Sequence, residues 1–481
     1  MSRDSTERRF YRSTVAATLS QVWRVAVTLG TRIVLRRLVE PADWGVWDWA
    51  LALFLVLGAL RDLGLVYHVV RVRPRPYGNL LAVEGIWGGA LALVTVLGAP
   101  ILALAFHEPH PAVVPVLRWL ALFLFLEGMA AVPRTYFECE LEIGRVVVPE
   151  LVRNLLFAGL SLGLAWMGWG VWSLVAAYTT GTGVYAAMLW WRARGRMPLT
   201  FLPGHTLPML RRSLPLALIW FLIILIHNVD PLILGWRFAA DIVGNYKFAY
   251  EGAFMAVTVL QPAVARALYP ALAALSDKPH KLFEAYRLAT LLLSSIEVPA
   301  ALFFFLNAET AVRILGGSSW EAAPGFLRIL ALAPLVDPFT RLGGELLKVH
   351  DDDRWWILSS LLTLGSFAFV GWWATGAFGP HGMAWVNFLP LGVTVMAWAL
   401  YRIDPPGFSR LARDLAWIYL PAVVPFVLAW WIAGDRLWLR FGLCVGAALL
   451  CLAHSYRRFG HSFVAFLRDP RAEAEAAAAQ G

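Results

Sequence analysis

Charged and polar side chains recur inside stretches that are otherwise apolar. Within 14–36, Thr14, Thr18, Gln21, Arg24, Thr28 and Thr31 return every three or four residues, the spacing of one helix face. Arg24 sits near the middle of that run, too deep for its stem to carry the charge easily back to water. A guanidinium is permanently charged, and its planar donor fork matches phosphate oxygens. Arg24, flanked by Gln21 and Thr28, is therefore a candidate contact for an anionic, phosphate-bearing ligand. The alternative is a structural ion pair with a carboxylate such as Asp48 or Asp230.

Other ionisable residues follow the same logic. Lys247 and Glu251 are four apart, with opposite charge on one helix face; they form either a self-satisfied pair or an inward-facing ligand or ion site. His227, Asn228, Asp230 and Pro231 interrupt the apolar run that begins at 213. His227 titrates near neutral pH and is a candidate for a coupling proton, or else a packed hydrogen-bonding residue. Glu297, two residues before Pro299, is a candidate proton or cation site. Arg61 and Asp62 lie one turn from the end of their helix and suit a cytoplasmic gate. Glu127, Asp337 and Arg341 suit pairing between helices, and Glu150 and Arg153 read as interfacial. The Asp351–Asp353 run reads as a solvated loop. Two histidines in "HEPH" are too few for a metal site, and "LGGSSW" lacks the lysine of a phosphate loop.

The elements that must position these groups are membrane helices. Of 481 residues, 59% are hydrophobic and only 15% charged. The apolar residues fall in long blocks such as 80–106 and 213–226, whereas a barrel would show short alternating segments. About 14 candidate spans meet the length criterion of roughly 20 apolar residues. Arginine and lysine concentrate in alternate loops, which places both termini in the cytoplasm and accounts for the net charge of +9 without nucleic acid. The basic N-terminus leads into a full-length span and reads as an uncleaved first helix. Three cysteines at 139, 444 and 451 imply no disulfide framework.

The second half echoes the first. Residues 32–53 align with 231–252 without gaps, placing Gly45 on Gly244, Trp47 on Tyr246 and Asp48 opposite Lys247. At the same offset Pro100 falls on Pro299, and 117–128 matches 327–338 after a small insertion. First span matching seventh implies a parallel repeat, an arrangement in which substrate sits between the repeats. The predicted fold is an all-α polytopic membrane protein: two pseudo-symmetric six-helix lobes around a central cavity, plus two C-terminal helices. The predicted boundaries are an N-tail over 1–12, an N-lobe over 13–191 and a basic linker over 192–212. A C-lobe over 213–402, an extra helix pair over 403–456 and a tail over 457–481 follow. The opposed charges at Asp48 and Lys247, each one turn inside the periplasmic end of its helix, predict an inter-lobe gate with Glu251 or Arg24 competing.

The stretch 29–71 resembles the opening of Wzx-type polysaccharide flippases of the multidrug/oligosaccharidyl-lipid/polysaccharide (MOP) exporter superfamily. The resemblance rests on Gly45, Trp47, the Asp62-Leu63-Gly64-Leu65 element and Arg71, and continues through 242–257 and 311–335. It implies a bacterial inner-membrane flippase, not an enzyme. Its substrate would be an undecaprenyl-pyrophosphate-linked oligosaccharide of the O-antigen or lipopolysaccharide type, moved by alternating access without ATP. In related lipid II flippases cationic residues of helices one, two and eight line the cavity; Arg24 and Lys247 match the first and third, while helix two departs with Asp48. No cofactor is implied beyond a coupling H+ or Na+. Implied partners are the lipid-linked oligosaccharide, membrane lipids, a polysaccharide polymerase and glycosyltransferases; the chain would be a monomer. The alternatives are a MATE-like drug or cation exporter and a polytopic lipid-linked-sugar glycosyltransferase or polymerase. Short outer loops, the first carrying only Glu40 and Asp43, weigh against the enzyme. The extra helix pair and Arg24 weigh against the exporter.

Overall fold

A computed structural model describes residues 27–66, 75–107, 110–255, 278–350, 353–388 and 391–468, with scattered single residues between these segments. Arg24 and Gln21 lie outside the described residues. All regular structure among the described residues is helical: α1 (27–38), α2 (Pro41–Asp62), α3 (Tyr77–Ala103), α4 (Val113–Cys139), α5 (Gly144–Trp166) and α6 (Val171–Ala193). Then come α7 (Thr206–Arg237), α8 (Ala240–Ala253) and α9 (Pro279–Leu306), followed by the short α10 (Ala308–Gly316), α11 (Ala323–Leu330) and α12 (Asp337–Val349). The chain continues through α13 (Asp353–Gly365), α14 (Trp372–Phe378), α15 (His381–Phe388), α16 (Gly392–Ile403), α17 (Pro405–Ala433) and α18 (Leu437–Arg468). Among the described residues, 10 helical stretches are long and apolar enough to cross a bilayer. The chain is a polytopic all-α membrane protein.

One expected span is not a continuous helix, and a second is continuous but carries a π segment. The stretch 324–346 is α11 and α12, joined by a tight turn at Ala333–Leu335 with Pro334 inside it. Pro334 lacks the N–H that a helix would use there. The span from α13 to α14 passes through a π turn over Ser366–Gly371. The Ser366 hydroxyl donates to Leu362 O at 2.8 Å and accepts Leu391 N–H at 2.9 Å, so it binds that turn to the start of α16.

The chain divides into two compact units at Gly244/Asn245, within α8. In the first unit α7 packs along α2 and joins the first six helices. The Asp62–Leu65 element explains part of this. Leu63 and Gly64 both take positive φ, 47° and 66°, so α2 ends in a sharp left-handed turn. A Cβ on Gly64 would lie 2.8 Å from Ser213 O at the start of α7. Asp43 caps α6 by accepting the Val171 N–H, which gives that acid a structural role. The linker is held too: Asn79 donates to Leu202 O at 2.7 Å and accepts Leu202 N–H at 2.9 Å.

The repeat is visible as a contact. A Cβ on Gly45 would stand 1.7 Å from Ala240 O, and one on Gly244 would stand 2.1 Å from Pro41 O. Gly45 and Gly244 are repeat partners, and so are Pro41 and Ala240. The starts of α2 and α8 therefore meet reciprocally, each glycine against the other helix's first turn, as a twofold contact requires.

In the second unit α9 is the hub, packed against α12, α17 and α18 around Phe283, Tyr286, Leu288, Leu346, Ile418 and Phe426. At the proline-led starts of α9 and α17, His280 Nδ1 bonds Asp404 at 2.7 Å and Arg410 approaches Glu284 at 3.7 Å. Arg287 bridges Glu284 and Asp414.

Valine at Gly45 or Gly244 should cost about 1–3 kcal/mol through forced overlap. The same change at Gly98, with nothing within 4 Å, should be neutral. Thermal unfolding in detergent measures this. Equal midpoints for all three variants would remove the crossing from the account.

Candidate functional site

Two buried polar centres stand out, one in each unit. In the first, Arg61 of α2 lies 3.3 Å from Glu84 of α3 and donates to Leu124 O of α4 at 2.9 Å. Both side chains are buried. Gly128 makes the pair possible, since a Cβ there would sit 2.8 Å from Glu84 Oε2 and 3.3 Å from Arg61 Cδ. Beside the pair is a cavity of about 250 Å³, lined by Arg61, Asp62, Glu127, Gly58, Trp220 and Ile224. Glu127 faces Arg153 of α5 at 3.6 Å, and Arg153 stacks over Tyr185 at 4.5 Å. Arg153, read from sequence as interfacial, is thus part of the inter-helical polar layer. The layer holds both signs of charge and tolerates a cavity because its charges are paired.

In the second unit Arg341 grips Asp337, its neighbour one turn back on α12, through Nε and Nη2, each at 3.1 Å. Gln261 Nε2 also donates to Asp337. Glu297 of α9 is fully buried beside them. The gapped repeat match puts Glu127 on Asp337. Each unit therefore carries an acid at the same repeat position, held by an arginine from a different place.

The predicted residues separate as follows. Arg61 and Asp62 share the cavity of the first unit. Asp48 is buried, and within its unit Arg36 of α1 lies 4.0 Å away while stacking 3.9 Å over Trp44. Arg36 is itself only 2% exposed. Thr28 is exposed on α1, whereas Thr31 is buried. His227 is exposed, with its ring nitrogen 2.8 Å from Ile223 O, and Asp230 is buried one turn on. In the second unit Lys247 Nζ lies 4.8 Å over the Tyr250 ring, and Glu251 is half-buried on the same helix. Glu84 was missed, because an acid amid apolar residues in α3 carries no periodic signal. Glycines four residues away at Gly88, and at Gly128 on α4, were its only trace.

This architecture has relatives. The family model described as "Polysaccharide biosynthesis protein" matches residues 34–324, more than half of the chain. The chain belongs to that family. WzxC, a lipopolysaccharide biosynthesis protein of Escherichia coli (strain K12), is 21% identical over 322 residues, 65% of this chain and 64% of its own length. The match thus spans slightly less than two thirds of that relative. The succinoglycan biosynthesis transport protein ExoT of Rhizobium meliloti (strain 1021) is 22% identical over 401 residues, 82% of this chain and 80% of its own. Among solved structures, the lipid II flippase MurJ in an inward closed conformation superposes with a TM-score of 0.76 at 10% identity. It covers 92% of this chain and 99% of that one. An inward-facing multidrug resistance MATE transporter of the MOP superfamily gives a TM-score of 0.61 at 16% identity, covering 81% and 96%. The chain shares the fold of these flippase and MOP-superfamily transporter structures.

Replacing Arg61 by Ala should strand the Glu84 carboxylate and cost about 3–5 kcal/mol. The double change Arg61→Met with Glu84→Leu should recover most of that loss. Unfolding midpoints of the single and double variants measure the difference; a double variant no better than the single would argue against the pair.

Proposed function

We propose that the chain is a flippase carrying an undecaprenyl-pyrophosphate-linked oligosaccharide from the cytoplasmic to the periplasmic leaflet of a bacterial inner membrane. The helices would move by alternating access, driven by an ion gradient or the membrane potential. The observation that carries the reading is the second unit's extra helix pair, α17 and α18, packed on α9 beyond the repeat. A MATE-like exporter has no need of it, and the superposition with the lipid II flippase covers more of this chain than that with the MATE transporter. The relatives named for lipopolysaccharide and succinoglycan support a lipid-linked glycan as cargo.

In this reading Arg24 contacts the pyrophosphate, with Gln21 and Thr28 on the same stripe and Lys247 as a second cation. Asp48, with Glu251, His227, Asp230 and Glu297, serves gating or ion coupling, while Arg61 and Asp62 form the cytoplasmic gate. The α2–α8 glycine crossing is the outer closure, and it opens when the cavity faces the periplasm. Both termini face the cytoplasm, and the chain works as a monomer beside glycosyltransferases and a polymerase. The coupling ion is H+ or Na+, and no other cofactor takes part.

The test is flipping of a pyrophosphate-linked sugar in proteoliposomes under a proton or sodium gradient. Arg24→Ala should lower the rate at least tenfold, the equivalent of about 1.4 kcal/mol. Arg24→Lys should retain part of it, because a point charge replaces the fork. Unchanged rates in both variants would overturn the pyrophosphate role. Transport of a hydrophobic cation in place of the lipid-linked sugar would favour the exporter.

A further inference from the structure

Glu297 is the buried acid that its surroundings leave unserved. It is 0% exposed on α9, two residues before Pro299. Among the described residues, neither of its carboxylate oxygens has a hydrogen-bond partner. The same holds for Ser294 Oγ, one turn earlier on the same face, and for Gln261 Oε1. Several nearby donors are engaged with other acceptors. Arg341 spends Nε and Nη2 on Asp337, Gln261 Nε2 also donates to Asp337, and the Tyr419 hydroxyl of α17 donates to Leu335 O. The titratable and charged groups facing Glu297 are thus Asp337 and Arg341 from α12 and Tyr419 from α17.

Among the described residues the charge count is short by one: two carboxylates stand against the single guanidinium of Arg341, which is itself half exposed. Glu297 is the fully buried member, and an uncompensated ion at that depth costs several kcal/mol. A single added proton resolves both deficits. A neutral Glu297 gains an O–H donor, and the Gln261 Oε1 acceptor beside it has no partner among the described residues.

We propose that Glu297 is a reversible proton-binding site and that the Gln261 amide reports its state to Asp337. With Glu297 protonated, its O–H donates to Gln261 Oε1 while Gln261 Nε2 donates to Asp337. On release the Glu297 O–H bond breaks and the proton passes to water. The carboxylate then draws the Gln261 NH2 toward itself, and Asp337 is left to Arg341. One proton therefore exchanges hydrogen bonds between α9 and α12. Pro299 supports movement at this turn, since it cannot supply the N–H that the Ser295 carbonyl would accept in a regular helix. Gln261 is a positioning residue in this scheme, and Glu297 holds the proton.

This inference rests on the transport reading for its purpose but not for its test. Infrared difference spectra of the full-length protein in lipid, taken across a pH titration, read the carbonyl band of a protonated carboxyl without any glycan. Loss of the band with flipping intact would sink the proton site alone; a normal band with no flipping would sink the cargo alone. Glu297→Gln should delete one such band, and Glu297→Asp should shift it. Gln261→Leu should also shift it, because the hydrogen bond to the amide is gone, whereas a merely structural glutamine would leave it in place. If Glu297→Gln does not fold, the aspartate and leucine variants carry the test. A band that none of these changes moves would overturn the proposal. So would a band erased by sodium at constant pH, which would make the site one for a metal cation.

Discussion

Two helices can cross closely only where their side chains vanish. At the starts of α2 and α8 the chain meets that constraint with Gly45 and Gly244, each pressed against the first turn of the other helix. Any Cβ would overlap a backbone carbonyl, so the contact has no tolerance for substitution. Because the two glycines are repeat partners, one local rule produces both halves of the contact. Asp48 follows Gly45 by three residues, and Lys247 follows Gly244 by three, as the repeat requires.

Beyond the crossing, the polar interior obeys a second constraint: charges in the membrane region need partners. In the first unit Arg61, Glu84, Glu127 and Arg153 bind α2, α3, α4 and α5 into one layer around a small cavity. In the second, Arg341 and Gln261 both donate to Asp337, and Glu297 beside them is the proposed proton site. The repeat thus preserves the position of an acid while changing how it is neutralised.

Much of the fold was legible in sequence, because hydropathy and repetition report what lipid demands. The ungapped match of 32–53 with 231–252 already set Gly45 on Gly244, and Pro100 on Pro299 marked equivalent helices. The helix irregularities were not legible: a π segment at Ser366–Gly371 and a tight turn at Ala333–Leu335 keep the same apolar composition as a regular span. Burial by partners was also hidden. Arg36 looks like a loop cation until Trp44 and Asp48 enclose it, and Glu84 reads as an isolated acid until Gly128 opens space for Arg61. Pairing across helices depends on rotation about each axis, which a single sequence does not encode locally. The polar stripe of Arg24 and Gln21 was legible as a pattern, and it lies outside the described residues.

The central claim is that the α2–α8 crossing closes the outer side and must part for transport. The direct measurement places cysteines at Pro41 and Ala240, the first-turn residues whose carbonyls face the two glycines, in a chain with Cys139, Cys444 and Cys451 replaced. Flipping in proteoliposomes is followed before and after a cleavable bis-thiol crosslinker joins them. The account predicts that crosslinking stops flipping and that reductive cleavage restores it. Flipping that continues with the crosslink formed would contradict it.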